Sequence, residues 1–181
     1  MEEKRHKFMD LEIEEVKKNA NNRDYIVKKV QEKGKILEFA NKQFQDDEEI
    51  VKLALKQDGE ALEFASDRLK TKKDIVLLAI NKAPWTACYA SEKLKADKEV
   101  ILASVKKYGQ TLYFASENLR DDEEIVKAAV SNKGLVLKYA SLRLRSCKDI
   151  AKIAIKQDKR AYHFLAQQLK QDEEIKSLLE E

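Results

Sequence analysis

Turn-forming residues are scarce in this chain: four glycines and one proline among 181 residues. A sandwich or barrel of many strands needs a turn about every 8–12 residues, so an all-β fold is excluded. The glycines, at positions 34, 59, 109 and 134, lie too far apart to form a phosphate-cradling loop. The two cysteines, Cys88 and Cys147, belong to no CxxC pair, which excludes a disulfide framework and a zinc ribbon. No apolar run approaches the roughly 18 residues that span a bilayer, and the start MEEKRHKFMDLEIEEV has no signal-like apolar stretch. A soluble chain in the cytoplasm is expected, or one delivered into a host cell if it acts as an effector. One sign of charge does not dominate either. With 36 basic and 33 acidic side chains the net charge is +3, far from that of a committed nucleic-acid binder.

What is present is a repeat. Phe39-Ala40, Phe64-Ala65, Tyr89-Ala90, Phe114-Ala115 and Tyr139-Ala140 recur at a spacing of 25 residues. Numbering the columns of each repeat from Asn21, Asp46, Thr71, Ala96, Asp121 and Ser146 aligns the chain without gaps. Column 5 carries Tyr25, Ile50, Ile75, Val100, Ile125 and Ile150; column 24 carries Phe44, Leu69, Leu94, Leu119, Leu144 and Leu169. Residues 1–20 then form an N-terminal cap in which Phe8, Met9, Leu11, Ile13 and Val16 are apolar. Residues 21–170 form six tandem repeats, and residues 171–181 a closing partial repeat with Ile175, Leu178 and Leu179.

Each repeat reads as two short helices. Columns 1 and 4 pair an acceptor with an acid (Asp46 with Glu49, Thr71 with Asp74, Ser146 with Asp149), the spacing of an N-cap and its capping-box partner. Apolar columns 5, 6, 9 and 10 follow as one helical stripe. All four glycines and Pro84 then fall in column 14. A left-handed glycine there would close the first helix, and Pro84 would open the second. Columns 16, 17, 19, 20 and 24 form the second apolar stripe. Helices this short are marginal alone, so the repeats must stack to bury a shared core. The expected fold is all-α: a right- or left-handed α-solenoid of six 25-residue helix-turn-helix repeats with terminal capping helices, roughly 50–60 Å long at a helix spacing of about 8–10 Å.

Chemistry is harder to find. The acidic runs Asp46–Glu49 and Asp121–Glu124 sit at expected helix N-termini, where negative charge is stabilised by about 0.3–1 kcal/mol. Neither His6 nor His163 belongs to a metal-binding or catalytic pattern, and Cys88 has no neighbouring base in sequence. The expectation is therefore a non-enzymatic protein without catalytic, metal or cofactor residues. Two surfaces could bind. The basic columns, with Arg68, Lys93 and Arg143 beside Lys70, Lys95, Arg120 and Arg145, could engage phosphates in a nucleic acid. Acids start within two residues of most of these bases, which favours the second surface. Columns 15, 18 and 22 share the outer face of the second helix and should be polar. The second repeat obeys with Glu60, Glu63 and Asp67, whereas the central repeats carry Trp85, Cys88, Tyr113, Leu135, Lys138 and Leu142. Exposed aromatic and aliphatic groups in line mark a contact strip for a protein or peptide. A structural spacer is the third possibility, and a monomer or weak homo-oligomer is the expected state.

The pattern D-x-E-I-V-x-x-A-x-x-x-x-G-x-x-L-x-F-A-S-x-x-L, at Asp47–Leu69 and Asp122–Leu144, resembles the tandem repeats of domain-of-unknown-function family 4116. The resemblance covers about residues 21–175 and implies a helical-repeat array, with no activity or site residue to carry over. It weakens at Lys29 and Phe44, at Pro84, Trp85 and Ala87, and at Lys159, Tyr162 and Leu165.

Overall fold

A computed structural model describes residues 12–180 of the chain, so Phe8, Met9 and Leu11 of the expected N-terminal cap lie outside the described residues. Every described element is helical. The structure gathers into two compact parts, one ending at Tyr89 and one beginning at Ala90.

The sequence period reappears as a repeated order of elements, with three helical pieces where two are expected. In the second repeat these are an α-helix at Glu48–Gln57, a 3-10 helix at Gly59–Phe64 and a one-turn α-helix at Asp67–Lys70. The fifth repeat gives Glu123–Asn132, Gly134–Tyr139 and Leu142–Arg145 in the same order. The expected second helix is broken at columns 20 and 21, where Ala65 and Ser66 are extended. In four repeats the break is secured by column 21. Asn41, Ser66, Ser116 and Ser141 each accept a hydrogen bond from the column 24 N–H, which starts a new helix instead of continuing the old one. Ala166 takes this column in the sixth repeat and has no such acceptor; there a 3-10 turn at Leu169–Gln171 replaces the short helix.

The caps of the long helices differ from expectation by one column. Asn22, Asp47, Asp97 and Asp122, all in column 2, accept from the first-turn N–H groups. Column 1 cannot serve, because Asp46 and Asp121 still close the preceding short helix. Their carboxylates are used elsewhere. Asp46 accepts from the Ser66 hydroxyl and from Arg68 Nε at 2.9 Å, and Asp121 accepts from the Ser141 hydroxyl and from Arg143 Nε at 3.0 Å.

The glycines also act differently from expectation. None has positive φ. Gly34, Gly59, Gly109 and Gly134 are buried, and each lies against the carbonyl of the column 9 alanine in the following repeat: Ala54, Ala79, Ala129 and Ala154. In three of them the backbone N–H also donates to a side-chain amide of that repeat: Gly34 to Gln57 at 2.7 Å, Gly109 to Asn132 at 2.7 Å, and Gly134 to Gln157. Column 14 is thus a contact between repeats and not a left-handed cap. Lys159 is allowed in the sixth repeat because it is exposed, and its ammonium reaches the column 9 carbonyl of Leu179 at 3.1 Å.

Columns 5, 6, 9, 10, 16, 17, 20 and 24 supply the core. In the first part Ile26, Leu37, Ile50, Leu55, Leu62, Leu69, Ile75 and Ile80 are fully buried; in the second, Ile101, Leu112, Ile125 and Leu137 are. At about 1.5–3 kcal/mol for each buried large apolar side chain, these layers supply the main driving force of folding. The column 21 hydroxyls add a smaller term that can be tested. Ser141→Ala should cost about 1 kcal/mol in a urea melt, by loss of its bonds to Leu144 N–H and Asp121. Ser91→Ala, in the same column, should cost close to nothing, because the Ser91 hydroxyl is buried without a hydrogen-bond partner. Equal losses in the two variants would show that the cap is not what this column contributes.

Candidate functional site

The expected contact strip divides between the two compact parts, and each portion has its own character. In the first part columns 15 and 18 carry Glu38, Glu60 and Glu63 together with Lys35, Trp85 and Cys88. Trp85, 41% exposed, donates its indole N–H to Glu60 at 3.2 Å, and Glu60 also pairs with Lys35. Cys88 is half-buried, in keeping with the partial exposure its column suggests. Beside it Tyr89 donates its hydroxyl to Glu63 at 2.9 Å. Burial, and then that carboxylate, push the Tyr89 phenol up to about 12. These aromatics are held by polar partners at their rims, an arrangement that costs little and leaves their positions fixed.

The second part carries a more open cluster. Tyr113 is 57% exposed and meets Phe114 edge to face with centroids 5.0 Å apart; Tyr139 lies 5.1 Å from Tyr113 in a tilted arrangement. The Lys138 ammonium stands 4.8 Å over the Tyr139 ring. Leu142 is 63% exposed, whereas Leu135 is half-buried and contributes less surface than its column suggests. The cluster arises because the 3-10 helix Gly109–Phe114 has about three residues per turn. Columns 16 and 17 then point into the core, as Thr111 and Leu112 do, while columns 18 and 19 both come to the surface.

That geometry explains what the sequence reading missed. By its pattern column 19 belongs to the buried stripe, yet Phe114 is 36% exposed and Tyr139 half-buried. One signal was present: the column alternates Phe with Tyr, and a phenol needs water or a partner at its tip.

The basic columns are largely occupied within the chain. Arg68 binds the Asp46 carboxylate through Nε and the Asp46 carbonyl through a terminal nitrogen at 2.7 Å; Arg143 does the same at Asp121, at 2.6 Å. The Ser66 and Ser141 hydroxyls, and then these guanidinium groups, hold both aspartates below their ordinary carboxylate value. Lys70 and Lys170 donate to the carbonyls of Glu63 and His163, both at 2.8 Å, and so close the C-terminal end of their own 3-10 helices. Lys95 pairs with Glu92 at 2.9 Å, and Lys93 is exposed. Arg120 and Arg145 stand apart: each has a buried Nε without a hydrogen-bond partner.

Acids of columns 2 and 4 join successive repeats. Arg23 bonds Glu49 at 2.6 Å, while Lys98 and Lys148 each bridge two acids of the next repeat, Asp122 with Glu124 and Asp172 with Glu174. Glu48 and Lys72 make the corresponding pair with the signs exchanged. Hydrogen bonds from Lys52 and Lys72 lower Glu48 to about 2. These ladders account for the acidic runs, and no group of three metal-ligating side chains forms among the described residues. No described helix is long and apolar enough to cross a membrane.

A family model with the description Domain of unknown function (DUF4116) matches residues 22–70, 72–120 and 122–175; the first two matches each fall within two successive 25-residue repeats, and the third runs on into the closing partial repeat. No curated protein and no solved structure matches the chain.

Proposed function

We propose, for a chain that belongs to the DUF4116 family, the role of a non-enzymatic helical-repeat scaffold: an α-solenoid of six 25-residue repeats that binds a protein or peptide. The observation that carries this reading is the aromatic cluster of Tyr113, Phe114 and Tyr139, contiguous by ring contact and open at Tyr113. Stacking of the repeats needs columns 16, 17, 20 and 24; it does not need a solvent-facing tyrosine in column 18. Exposed rings of this kind supply large contact area at low cost in side-chain entropy, and such residues dominate interface energetics. The alternative polyanion surface draws less support, because Arg68, Arg143, Lys70 and Lys170 already have partners within the chain.

The test is differential capture from the native source with the intact chain and with a Tyr113→Ala/Leu142→Ser variant. Both substitutions fall on exposed side chains, so the variant should melt within about 2 °C of the parent, as surface changes do. A specific partner retained by the parent and lost by the variant is the expected result. A partner held equally by both would place the contact elsewhere, and a collapsed melting temperature would make these residues structural.

A further inference from the structure

Beside the aromatic cluster lies a groove of about 290 Å³, lined by Glu117, Arg120, Tyr139, Ala140 and Ser141. It is formed where the short helix Glu117–Arg120 meets the end of the 3-10 helix Gly134–Tyr139, wholly within the second part. Tyr139 belongs to both features: its ring meets that of Tyr113, and the residue also lines the groove. An apolar platform therefore runs directly into a polar slot.

Resting on the reading of this chain as a peptide-binding scaffold, we propose that the partner segment is acidic: an aromatic or aliphatic anchor for the Tyr113–Phe114–Tyr139 platform, next to a carboxylate held by Arg120 in the groove. The charge distribution selects this occupant. Arg120 is one-third exposed and its Nε has no hydrogen-bond partner. The nearest acid, Glu117, is 93% exposed and stands 3.9 Å from the guanidinium, too far for a hydrogen bond. Lys70 and Lys170, in the same column, donate to a carbonyl of their own repeat, whereas Arg120, partly exposed, lines the groove. Lys138, exposed, adds a second cation over the ring of Tyr139, which lines the groove. A carboxylate in the groove has Arg120 in its lining, Lys138 over the neighbouring Tyr139 ring, and one exposed acid, Glu117, to displace. A guanidinium donating to a carboxylate through paired N–H groups gives both strength and orientation. A basic segment would meet Arg120 and Lys138 with Glu117 alone to offset them, which disfavours it.

The probe is a randomised 12-residue peptide library selected on the full chain, followed by affinity measurement of individual peptides. Selected sequences should carry Asp or Glu within about two residues of Phe, Trp, Tyr or Leu. Replacing that acid by its amide should weaken binding roughly tenfold, the size of one charge-assisted hydrogen bond. Arg120→Gln should remove the preference for acid over amide while Tyr113 dependence persists. If Arg120→Gln lowers the melting temperature, Lys138→Gln, on an exposed side chain, supplies the reading by halving the discrimination or more. Peptides that depend on Tyr113 but show no preference for acids would overturn the acidic assignment and leave the scaffold reading in place. An absence of Tyr113-dependent peptides would overturn both. A mixed-sequence single-stranded oligonucleotide that binds the parent and loses affinity in Arg120→Gln would replace the peptide with a polyanion and overturn the proposal.

Discussion

Gly109→Ala should lower the melting temperature by about 4–10 °C, corresponding to a loss of roughly 1.5–3 kcal/mol for a chain of this size. A Cβ at this position would sit 2.5 Å from the Ala129 carbonyl oxygen and 3.2 Å from Asn132 Oδ1. Neither is the free end of a flexible side chain. The carbonyl is fixed in the helix Glu123–Asn132, and the Asn132 oxygen accepts the Gly109 N–H at 2.7 Å. The added methyl must push two repeats apart along a contact that also carries their shared core. An opposing effect exists, since Gly→Ala stiffens the unfolded chain and contributes about 0.4–1 kcal/mol where φ is compatible, as it is here. The clash outweighs it.

Two controls separate this cause from a turn requirement. Gly109→Asn should be at least as damaging, whereas a left-handed cap would tolerate asparagine. Lys159→Ala, in the same column but exposed, should change stability by less than about 0.5 kcal/mol. Harmless Gly109→Ala, or a well-tolerated asparagine, would remove the close-approach explanation.

Leu137→Ala should cost about 2–5 kcal/mol, read from the midpoint of urea unfolding. Leu137 is fully buried on the inner face of its 3-10 helix, in a core cluster that includes Val126, Val130, Leu144 and Ile155. Truncation loses the transfer free energy of the side chain and leaves a cavity that flanking helices can fill only in part, since neighbouring repeats fix them. Against a typical total of about 5–15 kcal/mol, such a loss brings the chain close to unfolding under native conditions. Leu142→Ala is the matched comparison: same residue type, five positions on, 63% exposed, and expected to change stability by less than about 0.5 kcal/mol. Similar midpoints for the two variants would mean that the layer assigned to Leu137 is not a core layer.

The sequence by itself determined the period, the helical class and nearly all of the core, because stacked repeats impose the same burial on the same column each time. Ile50, Val51, Ala54, Leu55, Ala61, Leu62, Ala65 and Leu69 are apolar in sequence and buried in the structure for that one reason. It also located exposed Trp85, Tyr113 and Leu142 by their departure from the polar pattern. Tertiary structure decided what the turn residues and the aromatic column do. In four repeats column 14 is glycine because a carbonyl of the next repeat occupies the space of a Cβ, a constraint that lies 20 residues away in sequence, from Gly109 to Ala129. In the fourth and fifth repeats a 3-10 turn and a short helix capped by Ser116 or Ser141 replace the one expected helix, and that change of pitch brings Phe114 and Tyr139 outward. Local pattern records which side chains are apolar. Which of them remain uncovered depends on where the neighbouring repeat stops, and that is set by packing between segments that no single repeat contains.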